Sequence, residues 1–167
     1  TSFNNQYLAY TELSDELKRA IEGKSQVHDS SRNSAGVLRP GVKLPTRPEE
    51  VQGPVHPLVR VHPVTGKKAL YCSQTHTLHF EDMTEKESQP LIKMLYEHAS
   101  TPEFTCRVTW EPGQLTVWDN RCTLHKREAF DSNERRVLYA AQVEGHKPYE
   151  APDALGLAAH KRAALAV

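Results

Sequence analysis

The sequence predicts a mainly β fold with inserted helices, a partial jelly roll, and three stretches carry that expectation. HPLVRVHP and KKALYCS, joined by the turn at Val64-Thr65-Gly66, read as a β-hairpin. FTCRVTW (104–110) and LTVWD (115–119), joined by Glu111-Pro112-Gly113-Gln114, read as a second. Between them Thr84 and Glu87 form a capping box that opens a helix running through His98.

In chain order, the first 23 residues read as helical, because Ala9, Leu13, Leu17 and Ile21 recur every fourth position, Thr11 or Ser14 can cap, and Gly23 can stop the run. Residues 24–55 are rich in Ser, Gly, Pro and charge without a period and are expected to form a long loop or active-site lid. The first hairpin and the capped helix follow, with Leu91, Met94 and Leu95 on the helix's buried side and Pro102 beyond its end. After the second hairpin, RRVLYAAQV (135–143) reads as a further strand, and residues 151–167 as a helical or frayed tail. Residues 1–150 are thus expected to be one unit. The strands number about five against roughly eight in a jelly roll, so the chain is expected to be part of a larger β domain.

Composition narrows the function classes. Lys+Arg and Asp+Glu balance at 21 each, so no basic surfeit suggests nucleic acid. No apolar run is long enough for a membrane span, and the N-terminal residues lack the pattern of a signal peptide. A mean hydropathy of −0.63 is low for a compact globule and suits long polar loops or a piece of a larger domain. The three cysteines, Cys72, Cys106 and Cys122, have no CxxC spacing and are expected to be reduced thiols of a cytoplasmic protein.

The chemistry concentrates in residues 110–145. His125 lies just past a strand expected to end at Trp118-Asp119, and Arg136 opens the next strand. If those strands run antiparallel, an imidazole suited to iron and a guanidinium suited to a carboxylate can face one cavity. Spacing alone equally allows an ordinary surface pair.

Trp118-Asp119-Asn120-Arg121, His125 and Arg135-Arg136 together resemble the C-terminal signature of the taurine dioxygenase family of iron(II)/2-oxoglutarate-dependent oxygenases. The likeness extends to His56-Pro57, Arg60, His62-Pro63, Thr65-Gly66, Leu70, Pro102-Glu103-Phe104 and the opening TSFNN, while residues 24–55 match poorly. It implies a double-stranded β-helix of cupin type, with Fe(II) and 2-oxoglutarate as cofactors and a small-molecule substrate hydroxylated by molecular oxygen. Residue by residue, it implies that His125 is the distal iron ligand. Arg136 would pair with the distal carboxylate of 2-oxoglutarate, Thr1 would help hold that carboxylate, and His76 would stand where the taurine enzyme has an aromatic substrate contact. The Trp118–Arg121 motif would shape the strand end.

Two departures matter. The taurine enzyme places a second arginine four residues after the cofactor arginine, where this chain has Ala140. A sulfonate would then be buried without a cationic partner, which disfavours taurine as substrate. The His-x-Asp/Glu pair of the iron triad would precede the residue matching Thr1, in sequence this chain does not contain, so halogenation also stays open. His79-Phe80-Glu81 has the right spelling and formally completes a triad with His125, but its approach to a capped helix argues that these polar side chains simply face solvent. The competing expectations are part of an active oxygenase, a non-catalytic relative acting as a binding or assembly module, and a metalloprotein built on His79, Glu81 and His125. Homo-oligomer formation is open.

Overall fold

The structure, a computed structural model, describes residues 1–29, 31, 37–43, 53–131, 133–145 and 147–149. The elements run β1 (Ser2–Asn5), α1 (Gln6–Thr11), α2 (Asp15–Ile21), β2 (Ser25–His28), β3 (Val55–Pro57), β4 (Val59–Val61), β5 (Lys68–Leu70), β6 (Thr77–Phe80), α3 (Glu85–Ala99), a 3-10 turn (Pro102–Phe104), β7 (Thr105–Arg107) and β8 (Thr123–Lys126). They make two three-stranded sheets, ordered β7-β1-β8 and β3-β2-β6, and the hairpin β4-β5. All the ladders are antiparallel.

The first hairpin forms over Val59–Val61 and Lys68–Leu70, with Arg60 opposite Ala69 and Gly66 at φ +69° in its turn, while His56 and Pro57, expected in the same strand, pair with β2 instead. The α3 capping box is present: the Thr84 hydroxyl accepts from the Glu87 N–H at 3.3 Å, while a Glu87 carboxylate oxygen accepts from the Thr84 N–H at 2.9 Å. The helix buries Ile92, Leu95 and Ala99, with Leu91 and Met94 only partly covered. These residues pack with Ala9, Leu13, Ile21, Leu58, Val59, Leu70, Cys72 and Phe80 into one core. Polar links fix the layers. The buried Ser88 hydroxyl accepts from the Phe80 N–H at 3.0 Å, and His98 Nε2 meets the Ala9 carbonyl at 2.8 Å.

Four expectations are corrected. The opening 23 residues are not one helix: Ser2–Asn5 is a strand gripped on both sides by β7 and β8, and Asn5 then caps α1 by accepting from the N–H groups of Tyr7 and Leu8. Two flanking edges override a weak local preference. Within 24–55, expected to be a long loop or lid, Ser25–His28 is the central strand of the second sheet; residues 30, 32–36 and 44–52 lie outside the described residues. In the second hairpin only the turn forms, with Gln114 N–H donating to the Glu111 carbonyl at 3.1 Å and Gly113 at φ +80°. β7 pairs with β1 rather than with 115–119, and Leu115 and Val117 stay exposed. Residues 135–143 are not a strand either. A largely apolar run becomes one only where a neighbouring edge takes its backbone groups, and among the described residues no edge lies against it. The 151–167 tail lies outside the described residues.

Candidate functional site

His125 sits on β8 directly opposite Phe3 of β1. Cross-strand partners share a face, and its ring packs 6.2 Å from the Phe3 ring and 5.2 Å from that of Trp118. Phe3 and Trp118 are themselves 5.2 Å apart, so three rings form one cluster. Packing against this apolar wall lowers the His125 pKa and favours the neutral imidazole that a metal requires. The residue nonetheless remains exposed.

Thr1 belongs to the same face. Its carbonyl accepts from the Val108 N–H at 2.8 Å, continuing the β1–β7 ladder, and strand alternation puts its side chain with that of Phe3. The Thr1 hydroxyl oxygen accepts from the Trp110 indole N–H at 2.7 Å, which leaves its own proton available to an incoming acceptor.

The segment leading into β8 is held by a charge-assisted clamp. Asp119 Oδ1 accepts from the Arg121 backbone N–H at 2.8 Å, and Asp119 Oδ2 accepts from Arg121 Nη2 at 2.7 Å. Asp119 Oδ2 also meets His62 Nε2 at 3.0 Å. These bonds, Arg121 foremost, hold the Asp119 carboxyl well below the usual carboxylate range. Among the described residues, His62, Asp119 and Cys122 are the group of potential ligands whose donor atoms lie within 4.8 Å of one another. Both Asp119 oxygens already accept hydrogen bonds, so the arrangement is a hydrogen-bond relay rather than a vacant cation site.

The other expected site residues lie elsewhere. Arg136 stands on the exposed unpaired segment, its guanidinium 5.5 Å from the Phe130 ring centre, with Arg127 at 5.2 Å from the same ring. The strand that was to aim it toward His125 is not formed, and the structure does not bring the two side chains into contact. His76 lies in the turn just before β6, where its carbonyl accepts from the Asp29 N–H at 2.7 Å. His79 is on β6, paired with Val27, and Glu81 follows in a turn; the segment is a strand up to Phe80, contrary to expectation. The set His79, Glu81 and His125 does not assemble among the described residues.

A second histidine cluster was not anticipated. His28, expected in a loop, packs its ring 4.9 Å from His56 and 5.3 Å from Tyr71, and Arg60 lies 4.9 Å over Tyr71. Burial, with His56 and His76 nearby, lowers the His28 pKa to about 4. Only the recurring His-Pro pairs of the hairpin could have hinted at it. An open cleft of about 570 Å³ borders Phe3, Tyr7, Phe104 and Trp118, but His125, Thr1, Arg136 and His76 do not line it.

The family described as "Taurine catabolism dioxygenase TauD, TfdA family" matches residues 1–142. The chain is 31% identical over 147 residues to an alpha-ketoglutarate-dependent 2,4-dichlorophenoxyacetate dioxygenase of Burkholderia sp. (strain RASC), covering 88% of this chain and 49% of that protein. A taurine dioxygenase structure from Burkholderia xenovorans is 38% identical, with a TM-score of 0.59, over 73% of this chain and 38% of the other. The structure of AAD-2 in complex with Mn(II) and N-oxalylglycine is 30% identical, with a TM-score of 0.67, over 81% of this chain and 53% of the other. The chain spans about half or less of the length of the curated relatives it matches. The mainly β fold with a few helices agrees with these neighbours. The chain belongs to the taurine catabolism dioxygenase family, whose relatives include alpha-ketoglutarate-dependent dioxygenases.

Proposed function

We propose that this chain is part of an iron(II)- and 2-oxoglutarate-dependent dioxygenase that hydroxylates a small organic substrate, with succinate and carbon dioxide as coproducts. One observation carries the reading: His125 and Thr1, assigned by resemblance to metal and cofactor, share one face of the β7-β1-β8 sheet, on either side of Phe3. A strand-borne imidazole whose pKa is lowered by burial, on a residue that stays exposed, fits one ligand position of a non-haem iron centre. Iron with 2-oxoglutarate supplies the oxidising chemistry when bound.

The chain's own residues would then act as follows. His125 holds one position on the metal, and Phe3 and Trp118 fix its ring and keep water from that side. Thr1 Oγ1 donates to the distal carboxylate of 2-oxoglutarate while accepting from Trp110. Arg136 meets the same carboxylate through its planar fork once residues 135–143 are paired as a strand. His76 is proposed only as a substrate contact. The small sheets would be portions of a double-stranded β-helix, with the remaining two iron ligands supplied from outside this chain. A small-molecule substrate and molecular oxygen are the partners. A reducing cytoplasm agrees with Cys72, Cys106 and Cys122, all unpaired.

The test is steady-state succinate release by the whole protein against 2-oxoglutarate concentration. Arg136→Ala is expected to raise the 2-oxoglutarate requirement by about tenfold or more, the loss of a bidentate charged pair. An unchanged requirement would refute the assignment of Arg136.

A further inference from the structure

His62 and His125 lie 63 positions apart and on different sheets, yet an unbroken chain of contacts joins them. His62 is 4% exposed at the end of the first hairpin. Its Nδ1 accepts from the backbone N–H groups of both Val64 and Thr65, each at 3.2 Å. An imidazole nitrogen that accepts carries no proton, so the proton resides on Nε2, which donates to Asp119 Oδ2 at 3.0 Å. The hairpin turn therefore selects the tautomer, and the tautomer selects the partner.

Asp119 passes the restraint on in two directions. Through the chain it fixes Trp118, whose indole N–H donates to Asn120 Oδ1 at 2.9 Å and whose ring lies 5.2 Å from that of His125. Through Cys122, whose N–H donates to the Asp119 carbonyl at 3.3 Å and whose carbonyl accepts from the Gln6 N–H at 3.0 Å, it sets where β8 begins. The Arg121 clamp is local, two residues along the chain, and fixes the shape of this segment. It does not fix the segment's place. His62, 57 positions away, is the residue that ties the Asp119 side chain to the hairpin.

We propose that His62 is a positioning residue for His125, acting through Asp119 and Trp118 and never touching metal or substrate. The inference rests on the reading of His125 as a metal ligand, but the positioning itself is measurable without metal. With histidine-labelled 167-residue chain, NMR should show His62 as the Nε2–H tautomer and a cross-relaxation signal between the rings of Trp118 and His125. His62→Leu is expected to weaken that signal by about fivefold or more, since a shift of an ångström or two suffices. The β4–β5 cross-strand signals, such as Val59 to Leu70, should persist. His62→Gln, which keeps an N–H donor toward Asp119, is expected to restore most of it. An undiminished Trp118–His125 signal in His62→Leu, with the hairpin intact, would overturn the proposal, as would failure of His62→Gln to restore anything. If His62→Leu loses the hairpin, Asp119→Ala cuts the same link from the other end, and retention of the signal there would overturn it too. Mn(II) added to the parent chain separates the two readings. Broadening of His125 supports its ligand role, while a sharp His125 refutes that role and leaves the positioning result standing. Broadening centred on His62 would instead make the relay a cation site and overturn the proposal.

Discussion

Two regions of the molecule carry strand-forming apolar residues and meet opposite fates. In the first hairpin and its surroundings, Leu58, Val59, Val61 and Leu70 are at most 3% exposed. In the stretches 115–119 and 135–143, Leu115, Val117, Tyr139 and Val143 are at least 84% exposed. The hairpin supplies its own ladder, and α3 and the α1–α2 pair cover it. Residues 115–119 and 135–143 have no edge to pair with among the described residues, although β8 between them pairs with β1, so their pattern is unspent. Alternation states which face would be buried; a neighbour decides whether it is. The contrast also bears on function, because His125 lies in a formed ladder while Arg136 lies on the unpaired side.

The sharpest way to break this comparison is to truncate matched residues in the two regions. Phe80→Ala or Leu95→Ala, both at 0% exposure, is expected to cost about 3–5 kcal/mol by urea unfolding. Leu115→Ala or Tyr139→Ala should stay within about 0.5 kcal/mol. Equal costs would mean the second stretch is packed after all.

A smaller effect comes from pH. The His28 pKa is lowered by burial from 6.5 to about 4 in the folded chain, so the unfolded chain binds the proton first. This contribution to stability is therefore fully present above about pH 6.5 and declines as pH falls toward about 4. With partial exposure discounted, about 1–3 kcal/mol should be lost across that window. His28→Gln should flatten the dependence of the urea midpoint on pH; an unchanged slope would remove His28 as its source. Smaller again, Thr84→Ala should cost about 1 kcal/mol by loss of the capping box. A null effect would show that core packing alone holds the start of α3.

Local signals were legible in the sequence wherever the structure is local. The Thr84–Glu87 box, the Thr65-Gly66 turn and the Glu111–Gln114 turn all depend on residues a few positions apart. Ser2–Asn5 was not legible as a strand, because its ladder partners lie about 100 and 120 residues away and SFNN has little strand preference of its own. His28 and His62 read as loop and hairpin polar groups for the same reason: Tyr71 and Asp119, which give them meaning, are distant in sequence. His125 could be nominated from the motif around it, but its place opposite Phe3 could not. Arg136 illustrates the converse, a residue whose motif is clear and whose supporting strand is not formed.

The central claim is that His125, in its ladder beside Phe3 and Trp118, is one ligand of a metal centre. Titration of the 167-residue chain with Mn(II), read by broadening of individual histidine resonances, tests it most directly. Weak binding centred on His125, lost in His125→Ala and indifferent to His79→Ala, is the expected result. Tight one-to-one binding that His79→Ala abolishes, or broadening that survives His125→Ala, would contradict it.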